Sequence, residues 1–169
     1  MRQDVEHYKA VMQGKRSKVA GEYWETLIEN ACTFYRERGL AEITKTPEPM
    51  RPIGKLNNRV FKAVFTKQAQ PDYKGTLKGG QAVVFEAKYT DKDRLLQSCI
   101  TGEQEKQLNS HLELGAECFV LVSFGLQCYF KIPWEVFRNM KAFYGRKYIT
   151  PADVQEYAIK FTGGVLRFL

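Results

Sequence analysis

Two short apolar runs in the middle of the chain set the fold class. Residues 81–89 read QAVVFEAKY and residues 118–124 read CFVLVSF. Runs of this length and apolar content are typical of strands that are buried on both faces of a sheet. Helical spacing of apolar residues appears on either side, at 19–39 and at 102–115. We therefore predict an α/β domain in which a central mixed sheet is flanked by helices.

Turn and cap signals indicate the remaining elements. Residues 40–45 and 59–67 alternate as short strands, and PDYKG at 71–75 is expected to be a turn that follows the second of them. An amphipathic helix is predicted over 134–145 and another from Thr150, a residue type that caps helices.

Composition divides the chain into an arm and one domain. Residues 1–18 are predicted to form a basic, flexible N-terminal arm, and residues 19–169 a single domain from which a basic, proline-rich loop at 47–58 projects. No apolar run approaches the length of a membrane span, and the N-terminus lacks the apolar centre of a signal peptide. We therefore expect a protein of the cytoplasm without a membrane partner.

The distribution of charge points to a polyanion. The formal net charge is +7, and segments 1–18 and 43–81 together carry an excess of positive charge larger than that sum. Such basic stretches favour nucleic acid, although a merely soluble basic surface is the alternative. Four cysteines without a CxxC pair and two histidines make a zinc site an unfavoured interpretation.

Charged residues interrupt the apolar strand at 81–89. Side chains of a strand alternate between its faces, so Glu86 and Lys88 lie on one face, with the carbonyl of Ala87 between them. If a strand that ends near Asp72 pairs alongside, a second carboxylate approaches the first. These oxygens suit Mg²⁺, and Lys88 would polarise an attacking water or stabilise charge on a phosphate. A surface salt pair is the alternative interpretation.

Five stretches of the chain resemble one family of nucleases. They are PDYKG with VVFEAKYT, GEYWETLIENACTFYRERGLAEITKTPEP, EQEKQLNSHLELGAECFVLVSF, IPWEVF and GRKYITPADVQEY. They resemble the RecU-type Holliday junction resolvases of Gram-positive bacteria and their phages, which are PD-(D/E)xK nucleases. The resemblance covers most of the chain after residue 20 and implies a restriction-endonuclease-like fold. Departures, such as Glu103 in place of a histidine and a shorter projection, indicate a divergent, phage-borne type of member.

The resemblance also implies a metal-dependent active site of five residues: Asp72, Glu86, Lys88, Glu25 and Gln104. In this family-based assignment Glu25 completes the metal shell of Asp72, Glu86 and the Ala87 carbonyl. Gln104 positions water or phosphate, a role for which Gln107 competes. The implied cofactor is Mg²⁺, for which Mn²⁺ can substitute.

The implied substrate is a four-way DNA junction, cut by a homodimer through paired nicks during recombination and repair. The projection would enter the junction, and phosphate contacts would come from Lys45, Arg51, Lys55, Arg59 and Lys74. Recombination proteins of a host or phage and an association with the nucleoid are further expectations. Two alternatives stay open: another nuclease of this fold that acts on flaps, single strands or duplex, and a non-catalytic junction-binding protein.

Overall fold

The structure contains both helices and strands, as the sequence predicts for an α/β domain. The computed structural model describes residues 2–47, 50–55, 57, 60–65 and 70–169, and for residues 2–10, 61 and 65 the main chain alone. Within these residues the helices are α1 (Arg2–Glu37), α2 (Gly102–Glu113), α3 (Trp134–Arg138) and α4 (Met140–Tyr144). The strands are β1 (Ala41–Lys45), β2 (Met50–Lys55), β3 (Phe61–Phe65), β4 (Tyr73–Leu77), β5 (Ala82–Thr90), β6 (Leu95–Leu96), β7 (Glu117–Phe124), β8 (Cys128–Pro133), β9 (Tyr148–Ile149), β10 (Lys160–Thr162) and β11 (Val165–Arg167).

A five-stranded mixed sheet forms the centre of the fold, in the order β1-β4-β5-β7-β8. β5 and β7 are parallel, and the other neighbours are antiparallel. A parallel pair requires a crossover connection, and α2 lies in that connection. The two apolar runs are thus interior strands of the sheet, and the predicted central mixed sheet flanked by helices is confirmed.

The sheet separates two apolar layers. On one face α1 packs with residues such as Trp24, Ile28, Tyr73, Phe85 and Phe119. On the other face α2, α3 and α4 pack with residues such as Val84, Leu108, Val120, Phe137 and Met140. Side chains of β5 alternate between these layers, because Val83 and Phe85 belong to the first and Val84 to the second. Glu86 and Lys88 therefore lie on the α2 side, which confirms the predicted alternation.

The prediction of a turn at 71–75 is wrong. Tyr73 begins β4, which pairs with β5 from Tyr73 opposite Phe85 to Thr76 opposite Ala82. The turn lies instead at Gly79 and Gly80, which both have positive φ angles that glycine adopts at low cost. Asp72 consequently precedes its strand rather than ending one, and the antiparallel hairpin places it beside the second half of β5.

Two other segments differ from expectation. Residues 2–18 are helical as the first half of α1, because the segment has no proline and consists largely of residues that tolerate a helix; the division into arm and domain stays a prediction. The described part of the projection is a β2–β3 hairpin rather than a loop, with a register shift between Pro52 and Gly54. Proline is tolerated there because a two-stranded sheet has only edge strands.

The C-terminal third is also more broken than its periodicity indicates. The helix predicted over 134–145 is divided into α3 and α4 at Asn139. The helix predicted from Thr150 is a 3-10 turn over Gln155–Tyr157. No helix among the described residues combines the length and the apolar content needed to cross a bilayer.

Gly75 is required by the close approach of β1 and β4. A Cβ atom at this position would lie 2.1 Å from the carbonyl oxygen of Glu42 and 2.7 Å from the Cα of Ile43. Because both are main-chain atoms of the paired strand, they cannot move aside without breaking the pairing. We expect Gly75→Ala to lower the free energy of unfolding by about 3 kcal/mol, measured by urea denaturation.

Gly21→Ala is the matched control for this change. Gly21 lies inside α1 with open space around its Cα, so alanine is expected to raise the free energy of unfolding by about 0.5–1 kcal/mol. Equal effects of the two substitutions would contradict the close approach of β1 and β4.

Candidate active site

Asp72 lies against the main chain of β5. Its Oδ2 atom accepts the N–H of Ala87 at 2.9 Å. The N–H and C=O groups of one residue leave a strand on the same side, so the Ala87 carbonyl opens toward the edge that Asp72 occupies. The carboxylate and this carbonyl therefore share one end of the β4–β5 hairpin.

Glu86 is a fully buried carboxyl group in the interior of the sheet. Its Oε2 accepts hydrogen bonds from Nζ of Lys88 at 2.9 Å and from Nε2 of Gln104 at 2.5 Å. Its Oε1 is buried without a hydrogen-bond partner among the described residues. Burial raises the pKa of Glu86, the charge of Lys88 opposes this, and the nearby Asp72 raises the pKa further. A buried acceptor without a donor is a position that a bound cation would satisfy.

Lys88 is the cation between the two acids. Its Nζ lies 2.9 Å from Oε2 of Glu86 and 3.8 Å from Oδ2 of Asp72. Burial lowers the pKa of Lys88, but the two carboxylates outweigh burial and the pKa is raised above its ordinary value. The side chain therefore carries its positive charge at neutral pH.

Gln104 is held in place by the start of α2. The N-cap Thr101 and Gln104 form a capping box, in which Oε1 of Gln104 accepts the N–H of Thr101 at 3.0 Å. Because the amide oxygen is used in the cap, the amide nitrogen points to Glu86. Gln107, the competing glutamine, is exposed on the same helix.

Glu25 lies on α1, which packs against the face of the sheet opposite to Glu86, and it has its own partner. Its Oε2 lies 2.7 Å from Nζ of Lys45, which also lies 3.7 Å from Glu29. The pKa of Lys45 is raised, first by its hydrogen bond to Glu25, and the charge of Asp72 adds to the effect. Lys45, predicted to contact phosphate, is thus an ion-paired residue beside the site.

The donor atoms fit a magnesium ion with few protein ligands. No three His, Cys, Asp or Glu side chains of the described residues lie together as a ligand cluster. Asp72 and Glu86 supply two carboxylates, and the Ala87 carbonyl lies beside them. Mg²⁺ is commonly held by one or two carboxylates while it keeps several waters, so this set fits that ion.

Three of the other predicted DNA contacts lie on described strands, and one lies outside the described residues. Arg51 and Lys55 are exposed on β2, in the projection. Lys74 is on β4, where its Nζ lies 3.2 Å from Oε1 of Gln70. Arg59 lies outside the described residues, so its predicted contact stays a prediction.

The sequence analysis missed two neighbours of the site. Thr101 orients Gln104, and the Thr-x-x-Gln spacing of a capping box would have identified it. Cys99 lies near Lys88 and Glu86, and burial raises the pKa of its thiol to about 11. No sequence signal marks Cys99, because its position depends on the connection between β6 and α2.

Comparison with known proteins gives a consistent family. The sequence model of the family RecU, Recombination protein U, matches residues 19–168. Proteins named Holliday junction resolvase RecU from Streptococcus gordonii and Streptococcus sanguinis are each 30% identical over 110 residues, which span 62% of this chain and 54% of the relative. The match thus spans about half the length of these curated relatives.

Similarity to solved structures is found at lower sequence identity. One example is Hjc of Archaeoglobus fulgidus, described as a Holliday junction resolvase from an archaeal hyperthermophile. The similarity has 12% sequence identity and a TM-score of 0.48, and covers 78% of this chain and 92% of that chain.

Glu86→Gln is expected to stabilise the metal-free protein at alkaline pH. The folded protein holds a proton on Glu86 to higher pH than the unfolded chain does, so its stability falls as the pH rises above the ordinary pKa of a glutamate. Asp72 and Glu86 together outnumber the single charge of Lys88, so removing one negative charge leaves a balanced pair.

At pH 8 in EDTA, the free energy of unfolding of Glu86→Gln should exceed that of wild type by on the order of 1 kcal/mol. At pH 5 the difference should shrink. A variant that is equally stable or less stable than wild type at pH 8 would show that the carboxylate is not destabilising.

Gln104→Glu separates the cap from the contact with Glu86. Glutamate at this position preserves a capping box, but it replaces the donor to Glu86 with a third carboxylate. We expect this variant to lose about 2 kcal/mol in urea denaturation at pH 8. Gln107→Glu on the same helix is the control and should change stability by less than about 0.5 kcal/mol; equal losses would contradict the contact.

Proposed function

The chain belongs to the RecU (Recombination protein U) family, and from this membership we propose that it is a magnesium-dependent endonuclease that resolves four-way DNA junctions. The observation that carries the proposal is the cluster of Glu86, Lys88, Asp72 and Gln104, built around the buried carboxyl group of Glu86, at one end of β5. It supplies acidic and cationic groups that can promote hydrolysis of a phosphodiester without a covalent nucleophile.

Burial argues against a mere salt pair on a strand. An exposed Glu–Lys pair contributes little to stability and does not indicate a functional site. Here Glu86 is fully buried and the side chain of Lys88 is 18% exposed. Buried charges with perturbed pKa values are costly to the fold and cluster at functional sites. This supports a catalytic function over a non-catalytic DNA-binding one.

Each residue of the site has a distinct task in the proposal. Asp72, Glu86 and the Ala87 carbonyl would hold the ion, with Glu25 joining them after it leaves Lys45. The ion, when bound, supplies positive charge at the scissile phosphate and lowers the pKa of an attacking water. Lys88 remains protonated and stabilises the negative charge that develops on the phosphate.

Gln104 acts on Glu86 rather than on the phosphate. Its amide nitrogen donates to Oε2 and leaves Oε1 without a partner in the described part of the chain. The carboxylate is thereby fixed with one oxygen available for the ion. In this assignment Gln104 is a positioning residue, and Thr101 fixes Gln104 in turn.

Substrate and assembly follow from the family. The relatives that match are named Holliday junction resolvases. A four-way junction has two-fold symmetry, so a homodimer would present one site to each of two opposing strands. The exposed hairpin β2–β3, with Arg51 and Lys55, would contact the phosphates of the junction. The corresponding location of the protein is the cytoplasm, at the nucleoid, where it would meet recombining DNA.

The first test is cleavage of a synthetic mobile four-way junction with Mg²⁺. Wild type is expected to cut opposing strands in symmetric pairs. Asp72→Asn should lower the rate by at least about 100-fold, because it removes a charged ligand while it keeps an acceptor for the Ala87 N–H. Rates are measured on denaturing gels, with linear duplex and a flap as control substrates.

The control outcomes distinguish the proposal from its rivals. Equal cutting of duplex, flap and junction would establish a nuclease and reject junction selectivity. Tight junction binding without cutting, in Mg²⁺ or Mn²⁺, would reject the active site. Wild type should also melt at a higher temperature with Mg²⁺ than with EDTA, a shift that Glu86→Gln should lack.

A further inference from the structure

A basic cleft lies on the α2 side of the sheet, outside the carboxylate site. It has a volume of about 940 Å³, and its rim includes Ser98, Glu105, Arg138, Lys141 and Lys147. Three of its twelve lining residues are cations and one is an acid. This excess of positive charge in a concave surface favours an anionic ligand.

The cations of the cleft are available to a ligand. Lys141 and Lys147 are exposed and form no ion pair with any described residue. Arg138 donates one N–H to Oδ1 of Asn109 at 2.9 Å, an atom that also accepts from Nε1 of Trp134 at 2.8 Å. One donor of the guanidinium thus anchors it, and the planar group keeps other donors for a phosphate.

A single chain segment separates the cleft from the active site. Ser98 and Ile100 line the cleft, while Cys99 between them lies near Lys88 and Glu86. The next residue, Thr101, caps the helix that carries Gln104. If the scissile phosphate of a DNA strand lies at the carboxylates, the neighbouring phosphates of that strand therefore lie close to the cleft.

Gln97 braces this separating segment. Its Nε2 donates to the carbonyl oxygen of Arg138 at 2.5 Å, and its N–H donates to the carbonyl oxygen of Lys147 at 3.0 Å. Two of the cationic residues of the cleft are thus tied by their main chains to the segment that adjoins the active site. The spacing between the cleft and the carboxylates is consequently fixed by hydrogen bonds.

We propose that this cleft binds the phosphodiester backbone of the DNA strand that passes through the active site, a few nucleotides from the scissile phosphate. The inference rests on the proposed function and assigns a second contact site to the same substrate. Lys141, Lys147 and Arg138 contact phosphate oxygens, which position a strand without reading its sequence. Glu105 opposes the binding by its charge.

The floor of the cleft explains why the backbone rather than a base enters it. Trp134 is 2% exposed and Phe137 is fully buried, so neither ring offers a face for stacking. Recognition of unpaired bases depends on such exposed rings. The available groups are cations and amides at the rim, and these bind phosphate.

The test is equilibrium binding of a fluorescent four-way junction and a linear duplex, in EDTA so that no metal-dependent cutting occurs, over a series of NaCl concentrations. Lys141→Ala and Lys147→Ala should each lower the slope of log K against log salt by about 0.9, and the double variant by about twice that. The double variant should bind about fivefold more weakly in 0.1 M NaCl. Lys160→Ala, an equal change of charge at an exposed site on β10, should leave the slope unchanged.

Glu105→Gln provides a change in the opposite direction. It removes the one acid that lines the cleft, so binding should tighten by about twofold, whereas a merely structural role of the cleft predicts no gain. The proposal that the cleft binds DNA would be overturned if the salt slopes of the lysine variants equalled those of wild type or of Lys160→Ala. It would also be overturned if wild type bound no DNA. A wild type that binds but never cuts would overturn the proposed function alone.

Discussion

The burial of one carboxyl group, that of Glu86, is the constraint on which the site depends. The group lies on β5 in the interior of the sheet, where the neighbouring positions on the same face are Val84 and, on β7, Val120 and Val122. A valine in its place would pack without any charge to compensate. The protein instead retains an ionisable group that is costly to bury, and it surrounds that group with a cation and an amide. Such a local conflict with the apolar pattern is typical of a functional position.

The connections of the sheet determine which groups reach Glu86. The tight hairpin at Gly79 and Gly80 returns β4 along β5, and this places Asp72 at the N–H of Ala87. The parallel pairing of β5 with β7 requires a crossover, and the helix in that crossover begins with the capping box of Thr101 and Gln104. The β4–β5 hairpin and the first turn of α2 thus fix the partners of the carboxylate, and groups anchored by regular elements are positioned more precisely than groups on flexible loops.

The sequence was sufficient for the sheet and for the face that carries the charges, but not for the strand that brings Asp72 beside them. Alternation within an apolar strand placed Glu86 and Lys88 together, because that pattern depends on local geometry alone. The Pro, Asp and Gly of PDYKG are ordinary turn residues, yet Gly75 lies within β4. Glycine is required at this strand position because β1 passes too close for a Cβ atom. Only the pairing of two distant segments reveals that reason, and the ion pair of Glu25 with Lys45 depends on the same kind of long-range contact.

The basic character of the chain has two different physical meanings. Lys88 and Lys45 are counter-ions of the acids at the site, since each lies within 3 Å of a carboxylate oxygen. Nearby carboxylates neutralise their charges, so these lysines add little to the electrostatic field that a distant polyanion experiences. The exposed cations Arg51 and Lys55 of the β2–β3 hairpin, and Lys141 and Lys147 of the basic cleft, form no ion pair with any described residue, although Glu105 also lines the cleft. A count of net charge cannot distinguish these groups, whereas the pairing of each cation separates the counter-ions of the proposed active site from the cations that would be free to contact DNA.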